Sequence, residues 1–273
     1  MMRLLMINTI LFGLLFLDHY RILVVREEDN TMTNNTNTNN NNGARYNANP
    51  KFGEVRTSKN GKQYTNPLMG FATVFYNGMR VSDIQVLTSS KGNVYLRFPG
   101  SFRKDKDGNY VVDKNGYQIY DDSVSPASKT DRDNIEGLID AAMNDATFQC
   151  AEVAPTNSVT IHKNPRYGSV TTFADGNTST NNLLAFATIY FNGLRINGVQ
   201  ILVSSKGNTY LRFPGTFRKD KDGEFVKDAQ GYKVYDDFVA PTSKDLRDAI
   251  NELVDGALEQ ASSKDPNFFN PAE

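Results

Sequence analysis

The sequence predicts an α+β protein made of two tandem copies of a small antiparallel β-sheet module, each with one C-terminal helix. The stretch KGNVYLRFPGSFRKDKDG at positions 91–108 returns as KGNTYLRFPGTFRKDKDG at 206–223, an offset of 115 residues. FATVFYNGMRVSDIQVL at 71–87 returns as FATIYFNGLRINGVQIL at 186–202, at the same offset. A constant offset means that no insertion separates the copies, which is typical of a duplication of one module. Each copy places alternating strand-like segments before one helical stripe, the pattern of an α+β module.

Length, charge and cysteine content restrict the classes of protein that this chain can belong to. Its 273 residues, 39% of them hydrophobic, are enough for one large core or two small ones. The formal net charge of -1 argues against binding nucleic acid through bulk positive charge, so any such contact must be local. The single cysteine, Cys150, excludes an internal disulfide framework and a multi-cysteine metal site.

The N-terminal region is predicted to lie outside the modules. The apolar run Leu4 to Leu17 is shorter than the roughly 20 residues of a membrane span, so we expect no stable span. Three interpretations of residues 1–31 stay open: upstream sequence translated ahead of a start at Met32, an unusual native leader, or a secretory signal without a small-residue cleavage site. The Asn/Thr tract from Thr33 to Asn42 offers little apolar surface to bury. We therefore expect residues 1–48 to be a leader followed by a disordered tail.

Turn signals divide each module into strands. FATVFY alternates in hydrophobicity and is followed by Asn77-Gly78, a strong signal for a two-residue hairpin turn. Asp107-Gly108 predicts a further turn, as does Asn115-Gly116. The strands expected in the first module are 71–76, 79–87, 94–98, 110–112 and 117–120.

A helix is predicted to close each module. Ser128 and Asp131 have the spacing of a capping box, and the second copy begins its helix near Ser243. The apolar residues that follow recur at helical spacing. They are Ile135, Leu138, Ile139 and Met143 in the first copy and Ile250, Leu253, Val254 and Leu258 in the second. The expected organisation is module 1 at 49–143, a linker at 144–163, module 2 at 164–260 and a disordered C-terminal tail at 261–273.

The order of these segments resembles the SpoVG family. In that family a DIRVI-like segment precedes an NGLFVAMPS-like strand, a basic turn with Asp-Gly, an HPI-like segment and a helix. The matching segments here are DIQVL at 83–87, Asn93 to Ser101, the turn with Arg103, Lys104, Asp107 and Gly108, and Ser125-Pro126. The resemblance covers residues 71–143 and again 186–258.

The resemblance implies a small regulator of the bacterial cytoplasm that binds DNA and RNA, normally as a homodimer of one-module chains. A two-module chain would then form the dimer-like unit by intramolecular pairing, because its linker holds the modules at high effective concentration. Tandem, Asn-rich forms look like bacteriophage proteins, which implies the cytoplasm of a phage-infected cell. Two features depart from the family: the helices are acidic, which excludes a basic helix as the contact surface, and the hairpin around Asp107 and Asn115 is about two residues longer.

The repeated stretch supplies the candidate binding residues. Within 91–108, five cations stand against Asp105 and Asp107, a local surplus of three positive charges, and aromatic residues lie among them. Cations for phosphate and rings for base stacking are the mixture that binds single strands. The candidate residues are Lys91, Tyr95, Arg97, Phe102, Arg103, Lys104 and Lys106 in the first copy and Lys206, Tyr210, Arg212, Phe217, Arg218, Lys219 and Lys221 in the second.

Other chemistry finds little support in the sequence. Neither His19 nor His162 is repeated in the other copy, and no Walker-type loop, GxGxxG or HExxH motif is present, so we expect no enzyme and no cofactor. An EF-hand calcium site is disfavoured because the Gly of the DKDG turn comes too early in the loop, so we expect no metal.

The sequence therefore predicts a protein that binds single-stranded DNA or RNA, or duplex DNA with low specificity, through two basic hairpins. The alternative is a structural or partner-binding protein, such as a phage virion or scaffold component, in which the sheets bind another protein. A solvated hairpin whose charges keep an edge strand soluble would carry the same residues.

Overall fold

The structure is a computed structural model that describes residues 35–37, 42–58 and 61–271, and the expectations for residues 1–34 and 38–41 lie outside this part of the chain. The fold is α+β and consists mainly of antiparallel sheets with two helices. The helices are α1 (Lys129–Met143) and α2 (Lys244–Lys264). The strands are β1 (Asn35–Asn37), β2 (Asn42–Ala48), β3 (Val55–Thr57), β4 (Gln63–Thr65), β5 (Leu68–Tyr76), β6 (Met79–Thr88), β7 (Val94–Arg97), β8 (Gly100–Phe102), β9 (Tyr120–Asp122), β10 (Val124–Pro126), β11 (Ser158–Lys163), β12 (Val170–Thr172), β13 (Thr178–Thr180), β14 (Leu183–Phe191), β15 (Leu194–Val203), β16 (Thr209–Arg212), β17 (Gly215–Phe217), β18 (Tyr235–Asp237) and β19 (Val239–Pro241).

Two larger sheets, each built around a long hairpin, carry the core. Sheet 1 has the order β1-β2-β5-β6-β19, and β7 also pairs with β6. Sheet 2 has the order β10-β15-β14-β11, and β16 also pairs with β15. Along β5, Ala72, Val74 and Tyr76 are buried whereas the residues between them face outward, as the period of two requires. The predicted hairpin strands at 71–76 and 79–87 are confirmed and extend slightly further.

Each half of the chain contributes one short strand to the sheet of the other half. β10 pairs with β15 through Val124 and Ile196, and β19 pairs with β6 through Val239 and Val81. Val124 and Val239 are fully buried. The two sheets and both helices consequently share one continuous hydrophobic core.

Both helices begin where the sequence predicts. The Ser128 hydroxyl accepts a hydrogen bond from the Asp131 backbone N–H at 3.1 Å, and Ser243 caps α2 in the same way. Both side chains satisfy donors that the first helical turn leaves unpaired. α1 packs on β2 and β5, and α2 packs on β11. Neither helix in the described part of the chain has the length and apolar content needed to cross a membrane.

The structure differs from the sequence prediction at the first strand of each half. Residues 42–48 form β2, although we expected a disordered tail up to residue 48, and residues 158–163 of the expected linker form β11. Both strands pair with the outer edge of a central hairpin. The backbone hydrogen bonds of that edge stabilise β2 despite its polar sequence NGARYNA, since tertiary context overrides weak strand propensity.

The C-terminal segment also differs from the prediction. α2 continues to Lys264, inside the expected tail, and Phe268 is buried in the core rather than exposed. The Lys163 ammonium donates a hydrogen bond to the Asn267 carbonyl at 2.5 Å and lies 5.8 Å from the centre of the Phe268 ring. Burial of one aromatic side chain stabilises this segment against disorder.

Candidate nucleic-acid interface

Each predicted basic hairpin is an arm of three neighbouring backbone segments, which we call legs, rather than a two-stranded hairpin. We call residues 100–122 arm 1 and residues 215–237 arm 2. At the base of arm 1, β8 pairs with β9; beyond it, the Arg103 N–H bonds to the Ile119 carbonyl, the Ile119 N–H to the Val111 carbonyl and the Val111 N–H to the Arg103 carbonyl. This closed ring joins residues spaced eight apart, and arm 2 repeats it with Arg218, Val226 and Val234. In the predicted strand segments 110–112 and 117–120, Tyr110, Val112 and Gln118 form single bridges within the arm, and only Tyr120 belongs to a strand, β9.

Aspartates and glycines form the turns between the legs. One carboxylate oxygen of Asp105 accepts hydrogen bonds of 2.9 Å from the backbone N–H groups of Asp107 and Asn109. Gly108 supplies the positive φ of 86° that the turn needs. The same pattern recurs at Asp113, Asp220 and Asp228. The N–H donors lower the pKa of Asp105 and hold its carboxylate in the charged form.

The two predicted phosphate-binding arginines are engaged in ion pairs. The guanidinium of Arg103 donates two hydrogen bonds to Asp121, at 2.8 and 2.6 Å, and Arg218 bonds to Asp236 at 2.9 and 2.6 Å. These bonds depress the pKa of both carboxyls. The paired groups remain about half exposed. Both arginines thus link the first and third legs of an arm.

The arms as folded units are not basic. Arm 1 holds four cations and five carboxylates, and arm 2 holds five cations and six carboxylates. The surplus of three counted over residues 91–108 is lost in arm 1 because Lys91 and Arg97 lie outside the arm, while Asp113, Asp121 and Asp122 join it and only Lys114 is gained. A binding surface on the arms must therefore depend on where cations and rings lie, not on net charge.

Aromatic rings of arm 1 form one continuous row that has a cation at each end, Arg97 of β7 at one end and Lys104 of the arm at the other. We call the series Arg97, Tyr120, Phe102, Tyr110 and Lys104 the aromatic row. Phe102 makes edge-to-face contacts with Tyr120 and Tyr110, with ring centres 5.1 and 6.1 Å apart. The guanidinium of Arg97 lies 5.6 Å from the Tyr120 ring centre, and the Lys104 ammonium lies 5.0 Å from that of Tyr110. Each end of the row thus carries a cation within cation–π distance of a ring.

Arm 2 repeats this row together with Arg212 of β16. Phe217 contacts Tyr235 and Phe225 edge-to-face, at 5.2 and 6.0 Å. The second row consists of Arg212, Tyr235, Phe217, Phe225 and Lys219, with Lys233 4.0 Å from the Phe225 ring centre. Phe102 and Phe217 are 39% and 43% exposed, so part of each side chain is accessible to solvent.

The remaining predicted residues lie beside the row or away from it. Tyr95 on β7 is 42% exposed and faces the same side of the sheet as Arg97, as does Tyr210 beside Arg212 in the second half. Lys91 and Lys206 lie in exposed turns before β7 and β16, and Lys106 and Lys221 lie at the first turn of each arm. Within the described ranges, no contact joins these four lysines to the rows.

Sequence reasoning missed the rings that complete each row. Tyr110 was expected only as a strand residue and Tyr120 only as the end of a strand, and their counterparts Phe225 and Tyr235 were not singled out. The available signal was the spacing of eight between Phe102 and Tyr110, which matches the spacing of the arm legs. Among the described residues, no group of three or more His, Cys, Asp or Glu side chains is arranged to hold a metal ion.

No protein-family model matches this chain, and neither a curated protein nor a solved structure matches it.

Proposed function

We propose that the protein binds nucleic acid, with single-stranded DNA or RNA favoured and low-specificity duplex binding as the weaker mode, through the aromatic rows of its two arms. The observation that carries this proposal is the row from Arg97 through Phe102 to Lys104 and its repetition in arm 2. Half-exposed rings offer faces for bases, and a cation at each end of the row offers contacts for phosphates.

The energetics of such rows favour single strands. Stacking of a base on an aromatic side chain contributes about 1–3 kcal/mol, and every base has a π-face, so the contact tolerates any sequence. A duplex keeps its base faces inside the helical stack and offers only phosphates and groove edges to the row. Lysine and arginine contacts to phosphate release counterions, which makes binding weaken as salt rises.

The experiment that tests the proposal removes the terminal lysine of each row. The full chain with Lys104→Ala and Lys219→Ala is titrated by fluorescence anisotropy against labelled dT20, rU20 and a 20-base-pair duplex at about 50 and 200 mM salt. We expect weaker binding to dT20 and a salt slope smaller by about 1.4, since each lost phosphate contact removes about 0.7 for single strands. The ion pairs of Arg103 and Arg218 are left intact, so the arms keep their geometry.

The matched control removes two lysines elsewhere. Lys129→Ala with Lys244→Ala deletes the same charge at the starts of the two helices, where each lysine pairs with an aspartate four residues on. Equal losses in both double variants would show that net charge, not the row, governs binding. Absence of binding by the natural chain would reject the function and favour the alternative, a structural or partner-binding protein whose contacts do not depend on salt.

We further propose that the chain is a tandem duplication of a SpoVG-like module whose halves pair within one molecule, in the bacterial or phage-infected cytoplasm. Strands β5 and β14 begin 115 residues apart, as do β6 and β15. The same offset converts the pair Val124–Ile196 of β10 and β15 into the pair Val239–Val81 of β19 and β6, so the two exchanged strands pair in the same register. Reciprocal strand exchange of this kind supports pairing of the halves.

Cleavage between the halves tests this pairing. A protease site inserted between Asn144 and Asn157, where the structure has no helix or strand, lets the linker be cut in the folded protein. We expect the two fragments to co-elute on size exclusion, because each holds a buried strand in the sheet of the other. Separation of the fragments without denaturant would contradict the proposal.

A further inference from the structure

Each sheet presents an outer face that the arms do not form. In sheet 1, the cross-strand pairs Phe71 with Gln85 and Gln85 with Arg97 put these three side chains side by side on the surface opposite the core. Tyr95 lies two residues before Arg97 on the same face. Phe71 and Tyr95 are 40% and 42% exposed. We call Phe71, Gln85, Arg97 and Tyr95 the sheet patch.

Sheet 2 repeats this patch at the same register. Phe186 pairs with Gln200, and Gln200 pairs with Arg212, while Tyr210 takes the place of Tyr95. Phe186 and Tyr210 are 40% and 41% exposed. Two large aromatic side chains on each outer face remain open to solvent, although burial would stabilise them by a few kcal/mol in total. A repeated, half-exposed aromatic pair is therefore a candidate contact surface.

The charges around the sheet patch fit an anionic partner. The outward positions of β2, β5, β6 and β7 include Arg45 and Arg97, and their one carboxylate is the exposed Asp83 of β6, which lies nearer the hairpin turn than Gln85. The Arg45 guanidinium lies 5.4 Å from the Phe75 ring centre. Arg97 interacts electrostatically with the Asp122 carboxyl, whose pKa is raised by burial. At the far end of the hairpin, Arg80 interacts with Asp83 and with aspartates of arm 2, so we leave it out of the patch.

The sheet patch and the aromatic row meet at one residue. Arg97 belongs to the cross-strand row with Phe71 and also stands over the Tyr120 ring of the arm. The side chains Phe71, Gln85, Arg97, Tyr120, Phe102, Tyr110 and Lys104 thus follow one another from the sheet to the arm. A flexible polymer of alternating flat bases and phosphates matches this order of rings and cations.

We propose that the outer sheet faces are base-stacking surfaces that select unpaired nucleic acid, with one base on Phe71 and one on Phe186 and the neighbouring phosphates on Arg97 and Arg212. This inference rests on the proposed function, and it extends that function from the arms to the sheets. It names the ligand as single-stranded DNA or RNA, because a duplex has no free base face to lay on these rings.

The test uses the full chain with Phe71→Ala and Phe186→Ala, titrated against dT20 and against a 20-base-pair duplex. We expect affinity for dT20 to fall about tenfold or more, since one stacked base accounts for such a factor, while affinity for the duplex stays within twofold. The matched control is Tyr117→Ala with Tyr232→Ala. It removes two aromatic side chains that are 72% and 73% exposed at the second turn of the arms, away from the patch.

A second variant gives a direct readout of stacking. The chain contains no tryptophan, so Phe71→Trp introduces a single indole reporter at the patch. We expect dT20 to quench its fluorescence at the concentrations that saturate binding, and we expect the duplex to leave it unchanged. Circular dichroism confirms the fold of each variant.

The possible outcomes separate this inference from the proposed function. If the natural chain binds dT20 but the alanine pair binds equally well and the indole is not quenched, the sheet faces are not the stacking surface, and the function of the arms stands. If the natural chain binds only the duplex, the selection of single strands is wrong although nucleic-acid binding holds. If it binds neither, both proposals fail.

Discussion

Asn77 and Asn192 each donate a side-chain hydrogen bond to the backbone carbonyl of the other, at 3.3 and 2.9 Å. The two residues occupy the same place in the two halves, the first position of the Asn-Gly turns, and both have a positive φ near 50°. The Asn42 side chain accepts a hydrogen bond from the Asn77 backbone N–H, and the Asn157 side chain accepts one from the Asn192 backbone N–H. The turns that close the two central hairpins therefore contact each other reciprocally, as two parts related by an approximate twofold axis do, and this contact holds the two halves together.

This reciprocal contact predicts that Asn77→Asp destabilises the chain. Aspartate keeps the shape of the side chain but replaces the NH2 donor with a carboxylate oxygen that faces the Asn192 carbonyl. We expect the free energy of unfolding to fall by about 1–3 kcal/mol, the cost of a lost hydrogen bond with an unsatisfied acceptor. Urea titration followed by circular dichroism measures it. Asn93→Asp, at an exposed turn, is the control and should change stability by less than about 0.5 kcal/mol. Equal losses of stability in Asn77→Asp and Asn93→Asp would show that the hydrogen bond from Asn77 to Asn192 does not stabilise the fold.

Gly193 approaches the first half so closely that a methyl group does not fit. Its φ is +83°, and a Cβ would lie 2.3 Å from Oδ1 of Asp131, which accepts a hydrogen bond from the Tyr76 hydroxyl, while the Ser128 hydroxyl donates to the other carboxylate oxygen, Oδ2. We expect Gly193→Ala to lower the free energy of unfolding by about 3 kcal/mol, from backbone strain and overpacking together. Gly207→Ala has nearly the same φ, +84°, with no atom within 4 Å, and should cost only about 1 kcal/mol. Thermal and urea unfolding measure the free energy of unfolding of both variants. A difference under 1 kcal/mol between them would mean that the Asp131 side chain moves aside at little cost.

The core strands and the helix starts were predictable because their signals are local. Alternation in FATVFY, the Asn-Gly turn and the serine caps each depend on neighbouring residues, and the structure confirms them. β2 was not predictable from its composition, because the edge of β5 supplies its partner from more than twenty positions away. Phe268 was expected in a tail for the same reason, since its environment comes from a distant part of the chain.

The candidate residues were predictable as a set but not in their arrangement. The repeat singled out Arg97, Phe102, Arg103 and Lys104, and the structure brings three of them into the aromatic row. Arg103 instead pairs with Asp121, eighteen positions on, which no short-range rule indicates. Phe71 was not predicted as a binding residue because aromatic residues are common in strands, and its neighbours Gln85 and Arg97 are known only once the strand pairing is known.

Burial of Tyr76 predicts a loss of stability at alkaline pH. Burial raises the pKa of this phenol from 10.0 to about 12, and the Asp131 carboxylate, which accepts its hydrogen bond, acts in the same direction. Between pH 10 and 12 the unfolded chain releases this proton while the folded chain keeps it, so the unfolded state binds fewer protons and stability falls as pH rises. Below pH 10 the contribution is fully present. We expect Tyr76→Phe to be less stable than the natural chain at pH 8 and the difference to narrow towards pH 11.

Urea midpoints at pH 8, 9, 10 and 11 check this dependence. Val74→Ala, two residues earlier on β5 and fully buried, is the control because it destabilises the core without removing a phenol. Its difference from the natural chain should stay constant with pH. A Tyr76→Phe difference that also stays constant would show that the phenol does not titrate differently on folding.

The ion pair between Arg103 and Asp121 predicts a gain of nucleic-acid affinity when the carboxylates are neutralised. Asp121→Asn with Asp236→Asn keeps the shape of each partner and releases two guanidinium groups for phosphate. Both pairs are about half exposed, so we expect each change to cost less than about 1 kcal/mol of stability. We expect tighter binding of dT20 in low salt and a salt slope steeper by about 0.7 for each arginine that gains a phosphate contact.

Asp133→Asn with Asp248→Asn makes the same change in net charge at the helix ion pairs, away from the arms. A gain of affinity confined to the arm variant would indicate that Arg103 and Arg218 bind phosphate once released, whereas equal gains in both variants would mean that long-range charge alone is responsible and that the two arginines only hold the arms together.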